Sequence, residues 1–190
     1  MDAIALLVAD HNRVRGVFAR FKAAEESGTT EVMGDLATKI IEELDIHATI
    51  EEEIFYPKVR EQSEELGKLV AEGIEEHNVV KGLIAEIKGG DPTDEAWVAK
   101  VKVLIENVEH HAGEEEDEMF PKVRSGIDAA TRGTIGDQLA ERKVELGAPS
   151  MAETIDLTQD ALLELARAQE IPGRSSMSHE ELAATVDPRG

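Results

Sequence analysis

Three features of the 190-residue sequence predict an all-α protein built on an antiparallel up-down bundle of four helices. Apolar residues recur in steps of three or four along four long segments, which keeps them on one helix face. Aromatic residues are only 3% of the chain against 41% hydrophobic residues, so the core is aliphatic, which suits helices better than a β-sandwich. Short turn-prone stretches separate the segments, and short connections between long amphipathic helices imply antiparallel neighbours.

The first stripe runs Ile4, Leu7, His11, Val14, Phe18, Phe21 and ends at Ser27-Gly28-Thr29-Thr30. The second runs Val32, Leu36, Ile40, Leu44, His47, Glu51, Ile54 and breaks after Pro57. The third runs Leu66, Leu69, Gly73, His77, Val80, Ile84, Ile87 and ends at Gly89-Gly90-Asp91-Pro92. The fourth runs Trp97, Val101, Leu104, Val108, His111, Glu115, Met119. Thr93 is expected to cap it, with Asp94 and Glu95 in its first turn.

Composition narrows the function classes. No apolar run approaches the length of about eighteen residues that a membrane helix needs, and the N-terminus has no basic region ahead of its short apolar stretch, so no signal peptide is expected. Without cysteine there is no disulfide, zinc–thiolate site or thiol nucleophile, and a cytoplasmic location is the expectation. The net charge of −21 repels nucleic-acid phosphate and anionic lipid.

Each stripe is apolar except for one histidine, and two stripes add a glutamate four residues later, on the same face. His11, His47, Glu51, His77, His111 and Glu115 therefore point into the core, where six polar groups without partners would cost several kcal/mol each, to order of magnitude. An internal repeat sets their register. Residues 11–16 match 77–82, residues 47–60 match 111–124, and both of the longer copies end in Pro-Lys-Val-Arg. The repeat also selects His111 over His110, because His111 stands ten residues before Pro121 as His47 stands ten before Pro57. His110 is expected to flank the site.

Two His-x-x-x-Glu pairs on facing helices supply two carboxylates able to span two metals, and a histidine from each remaining helix completes a pseudo-symmetric set. Imidazole with carboxylate suits iron, manganese or zinc. A structural zinc site closes with four ligands and has no use for bridging carboxylates. Two non-haem iron ions are therefore the expected cofactor, with manganese second. The alternative Glu-x-x-His di-metal bundle is ruled out, because Val8, Leu44, Ile74 and Val108 stand three residues before the histidines.

At these residues, over about 1–125, the sequence resembles the hemerythrin-like, or HHE cation-binding, family. The resemblance implies a four-helix bundle, an oxo- or hydroxo-bridged di-iron centre, and reaction with dioxygen, hydrogen peroxide or nitric oxide. Two departures stand out. The oxygen carriers of the family have a further histidine where this chain has Gly73, and an aspartate at i+5 where it has Glu115 at i+4. The site is thus more symmetric and has fewer protein ligands than an oxygen carrier, which favours redox chemistry on small oxidants. Tyr56, the only tyrosine, follows Glu51 by five residues. Some relatives use a tyrosine near this position as a ligand, so Tyr56 is a candidate for the coordination position that Gly73 leaves empty. Its counterpart, Phe120, has no ligand atom.

The expected organisation is a bundle over 1–125, a packing helix over 126–147 (through Ile127, Ile135, Leu139, Val144 and Leu146), a linker over 148–154 and a small module over 155–190. The module reads as two short helices, the first including Leu157, Leu162, Leu163 and Leu165, around a turn at 171–177, with Ser178 and Glu181 as a capping box. It resembles the helix–extended–helix unit of the transcription terminator Rho and SAP-like domains. Residues 151–190 carry eight acidic side chains and three arginines, so a protein partner suits this segment better than nucleic acid. The function expected is peroxide decomposition, catalase-like, or other handling of oxidative and nitrosative stress. The alternative is a non-catalytic oxygen, iron or redox sensor that signals through the C-terminal module.

Overall fold

The computed structural model describes residues 1–149, 154–155 and 157–187, and among them it is helical with no strand. Helix α1 spans Ala3–Ser27 and α2 spans Thr30–Ile50. A π-helical turn, Glu51–Phe55, joins α2 to α3, Tyr56–Arg60. Helix α4 spans Glu64–Ile87. Helix α5, Glu95–Glu114, passes through a second π-turn, Glu115–Met119, into α6, Phe120–Gly126. Helix α7 follows over Ala129–Glu145. The tail holds α8, Gln159–Ala168, and α9, His179–Thr185. No helix is long and apolar enough to cross a membrane among the described residues.

Most helices start on a side chain that satisfies an otherwise orphaned backbone N–H. Asp2 accepts from Ile4, Ser63 from Leu66, Asp128 from Ala130 and Thr131, and Thr158 from Ala161. The cap of α5 is Asp94, not Thr93: the Asp94 carboxylate accepts from Ala96 N–H, while the Thr93 hydroxyl bonds Asp91. Ser178 and Glu181 form the expected capping box. Leu157 precedes α8 rather than lying in it, because the helix starts at the Thr158 cap. Part of the predicted linker, at 150–153, and the chain end at 188–190 lie outside the described residues.

Helix α1 lies along α2, and α4 along α5, with α1 also touching α5. Two apolar clusters fill the bundle. One draws Phe18, Phe21, Ile40, Ile84, Val101 and Leu104 from α1, α2, α4 and α5. The other joins Leu7, Phe55, Val70 and Phe120 with Ile135 and Leu139 of α7, which closes that end. The histidine and glutamate positions fall between the two along each helix. Burying one such aliphatic or aromatic side chain is worth about 1.5–3 kcal/mol, so the clusters hold the polar layer in place from both sides. Val32 and Val144, expected inside, are 42% and 49% exposed, and Met33 is buried in place of Val32.

The tail has its own small core of Leu162, Ala166, Ile171, Leu182 and Val186. It also sits on α1. The buried Arg13 donates from Nε to Thr185 C=O at 2.8 Å and from Nη2 to Ala184 C=O. Gly16 permits the approach, since a Cβ there would stand 2.4 Å from the Gln169 carbonyl oxygen.

Candidate metal centre

Both π-turns begin at a predicted ligand glutamate. A widened turn is a known mark of functional positions in helices, and here the sequence supplies its cause. Pro57 and Pro121 lack an N–H, and in a regular helix their rings would press on the carbonyl four residues back, at Glu53 and Asp117. The wider turn replaces that contact with bonds from Tyr56 N–H to Glu51 C=O and from Phe120 N–H to Glu115 C=O. Each glutamate thus ends up on the same face as the aromatic residue five positions later, and Tyr56 and Phe120 are both buried.

The structure brings together all six residues expected at the centre. His11 Nε2 and His47 Nε2 are 3.1 Å apart, and so are His77 Nε2 and His111 Nε2. The two carboxylates lie between these pairs. Glu51 Oε2 is 3.3 Å from His47 Nε2 and 3.4 Å from His77 Nε2. Glu115 Oε2 is 3.3 Å from His11 Nε2 and 3.7 Å from His111 Nε2. His11, His47, Glu51 and Glu115 form one cluster able to hold a cation, and Glu51, His77 and His111 a second, with the ligand atoms of each within 4.8 Å of one another.

The residues fit a metal. Glu51 is fully buried, yet neither of its carboxylate oxygens has a hydrogen-bond partner among the described residues, and Glu115 Oε2 is equally unpartnered. A buried carboxylate left this way is costly unless a cation neutralises it. Imidazole nitrogen with carboxylate oxygen is a donor set for first-row transition metals.

Tyr56 is buried, with its hydroxyl donating to Glu115 Oε1 at 2.9 Å and lying 3.4 Å from His111 Nε2. Its ring stacks on His77 at 5.6 Å. The hydroxyl occupies the space over Gly73, where a Cβ would stand 3.0 Å from it. On the other side Phe120 stacks on His11 at 6.0 Å. His110 is exposed and faces Glu114 at 3.3 Å, outside the buried centre.

The stripes did not reveal the outer carboxylates. His11 Nδ1 is bonded to Glu116 at 2.7 Å, His77 Nδ1 to Glu52 at 2.8 Å, and His111 Nδ1 to Glu76 at 2.6 Å. Arg15 in turn donates to Glu116, and Lys81 to Glu52. A carboxylate on Nδ1 fixes the tautomer and turns Nε2 towards the centre. The signal was in the repeat: Asp10 and Glu76, Arg15 and Lys81, and Glu52 and Glu116 stand at the same offsets as the ligands.

In the metal-free chain these contacts redistribute protons. Burial pushes His11 down, but the Glu115 carboxylate 3.3 Å from Nε2 and the bond of Nδ1 to Glu116 outweigh burial and raise its pKa to about 9. Burial also opposes ionisation of Glu115, yet the neighbouring histidines hold its pKa below the usual carboxylate range. Beside the four imidazoles lies a cavity of about 30 Å³, lined on its apolar side by Val14, Leu44, Val80 and Val108.

Comparison with known proteins agrees with this geometry. A DNA nickase from Nostoc sp. is 28% identical over 118 residues, covering 62% of this chain and 32% of the relative, so the match spans about a third of that protein's length. No solved structure matches the chain. The model of the hemerythrin HHE cation binding domain matches residues 2–123, which include all six histidine and glutamate positions, and the chain belongs to this family.

Proposed function

We propose that the chain holds a di-iron centre, with His11 and His47 at one metal, His77 and His111 at the other, and Glu51 and Glu115 shared between them. The observation that carries this reading is the buried carboxylate pair, with both Glu51 oxygens and Glu115 Oε2 lacking a hydrogen-bond partner among the described residues, set between two pairs of facing imidazoles. Manganese is the second choice of metal for the same donors. We further place Tyr56 as an additional ligand at the His77 and His111 position, on the strength of its buried hydroxyl beside both Glu115 and His111. Helices α1, α2, α4 and α5 are read as an up-down four-helix bundle, with residues 126–147 as a packing helix and 155–190 as a separate module.

The reaction that suits this site is decomposition of hydrogen peroxide to water and dioxygen, with nitric oxide and dioxygen as further small ligands. Iron held by these residues would supply redox chemistry on a small oxidant. The chain's residues supply the rest. The cavity beside the imidazoles admits a molecule of a few atoms, and its valines and leucine exclude bulk water. Glu52, Glu76 and Glu116 keep three imidazoles oriented from behind. Metal analysis should find about two irons per chain, and peroxide decomposition should be lost in His47→Ala and Glu115→Ala. Turnover no faster than that of free iron would reject the reading.

A second reading, a sensor that signals through the tail, is favoured by one contact. Arg13, two residues from His11, holds the carbonyls at the end of α9. Proteolysis of the segment after residue 149 should then differ between metal-loaded, reduced and metal-free protein, and identical patterns would exclude it. A protein partner suits the Rho-like and SAP-like tail better than nucleic acid does. The nicking activity of the Nostoc relative is not carried over, since a net charge of −21 opposes approach to DNA phosphate.

A further inference from the structure

The near-twofold symmetry of the centre fails at Asp10. Glu76, which precedes His77, bonds His111 Nδ1 at 2.6 Å. Its counterpart Asp10 precedes His11 and faces His47 Nδ1, but at 3.5 Å. That gap is at the outer limit of a hydrogen bond and far weaker than the Glu76 contact, and neither His47 Nδ1 nor Asp10 Oδ2 has a formed hydrogen bond among the described residues, although both atoms are buried. The other Asp10 oxygen is bonded to Lys143 Nζ, itself buried, from α7. Helix α7 lies beyond the family match and has no copy in the repeat. On the other side, among the described residues, the cationic neighbour that Glu76 has besides His111 is the exposed His110, at 3.7 Å.

An ammonium is a charged donor and holds a buried carboxylate more strongly than a neutral imidazole does. Aspartate is also one methylene shorter than the glutamate at the matching position. A carboxylate on Nδ1 raises the basicity of a metal-ligating histidine, and losing such a partner typically costs about 10–100-fold in metal affinity.

We propose that Lys143 is a positioning residue that makes the two metal positions unequal: by holding Asp10 off His47 it weakens the His11 and His47 position relative to the His77 and His111 position. The inference rests on the two-metal reading above. It means that the first metal enters between His77 and His111, and that the metal between His11 and His47 leaves first.

The test is titration of the metal-free, full-length protein with cobalt(II), followed by calorimetry and by the visible spectrum of the bound ion. The wild type should take two ions in steps separated by about tenfold or more. Lys143→Met frees Asp10 to close on His47 and should tighten the weaker step by about tenfold, leaving the tighter one unchanged. Lys143→Arg keeps a charged donor on Asp10 and should retain the separation. Asp10→Glu, whose longer side chain reaches His47 with Lys143 in place, should tighten the weaker step without disturbing α7, so the proposal stays testable if Lys143→Met does not fold. Tyr56→Phe should weaken the tighter step instead, which separates the tyrosine's contribution from that of the lysine. Two wild-type steps of equal affinity, or a weaker step unmoved in both Lys143→Met and Asp10→Glu, would overturn the proposal and leave the two-metal reading standing. Uptake of fewer than two ions would overturn both.

Discussion

At the scale of single residues, the centre is a set of charges that need one another. In the metal-free chain a proton on His11 stands where a cation would, held by Glu115 and Glu116. The folded pKa of His11, about 9, lies above its ordinary 6.5, so this contribution to stability is full below pH 6.5 and is lost as pH rises through 9. For Glu115 the folded pKa is below the ordinary 4.5, so its contribution is present above pH 4.5 and fades as pH falls further. The stability difference between metal-free wild type and His11→Gln should therefore shrink between pH 6.5 and 9; denaturant unfolding at each pH measures it, and a constant difference contradicts the pairing. Metal must displace that proton, so calorimetry in buffers of different ionisation enthalpy should show proton release on metal uptake near neutral pH. Tyr56→Phe removes the donor to Glu115 Oε1. The loss of that buried bond should cost about 1–3 kcal/mol in the metal-free protein, and in the iron-loaded protein it should abolish any tyrosinate-to-iron absorption band. A band that survives the substitution ends the case for Tyr56 as a ligand.

At the scale of elements, helix periodicity defines a face but not its neighbour. Val32 and Met33 stand four and three residues before Leu36, and both spacings lie on one helical face, so the choice of Met33 was left to the packing of the other helices. The π-turns had the larger effect. A regular 3.6-residue reading carries the stripe from Glu51 to Ile54, whereas the extra residue of the widened turn brings Phe55 and Tyr56 inside and leaves Ile54 half-buried. Both prolines are visible in the sequence, but Pro57 reads there as the end of a helix rather than as the cause of a wider turn within one. The tail depends on a different contact. Gly16→Val would place a side chain against the Gln169 carbonyl oxygen and Ile171. It should loosen the tail, cost about 1–3 kcal/mol as other overpacking changes do, and speed proteolysis after residue 149. An unchanged cleavage rate would show that the tail does not depend on this approach.

At the scale of the whole molecule, two apolar clusters enclose a layer of histidines and glutamates. Such a layer is a weak place in a metal-free core, so metal should stabilise the entire fold. Free metal at about a thousand times its dissociation constant adds about 4 kcal/mol, which for a chain of this size raises Tm by roughly 10 °C; scanning calorimetry with and without a chelator checks it. The net charge of −21 works against compactness, so moderate salt should also raise the Tm of the metal-free protein.

The sequence by itself determined the main helical segments, most of the inward face of each and the six histidine and glutamate positions that the structure brings together. These follow from local spacing, and the internal repeat supplied the register that one copy would have left ambiguous at His110 and His111. Only the tertiary structure decided which carboxylate stands behind each imidazole, that Tyr56 lies over Gly73, and that the tail rests on Arg13. It also placed Lys143 on Asp10, more than a hundred residues away along the chain. Such contacts depend on how one helix is rotated and shifted against another, and those are set by the shape of the packed core rather than by the period of any single stripe.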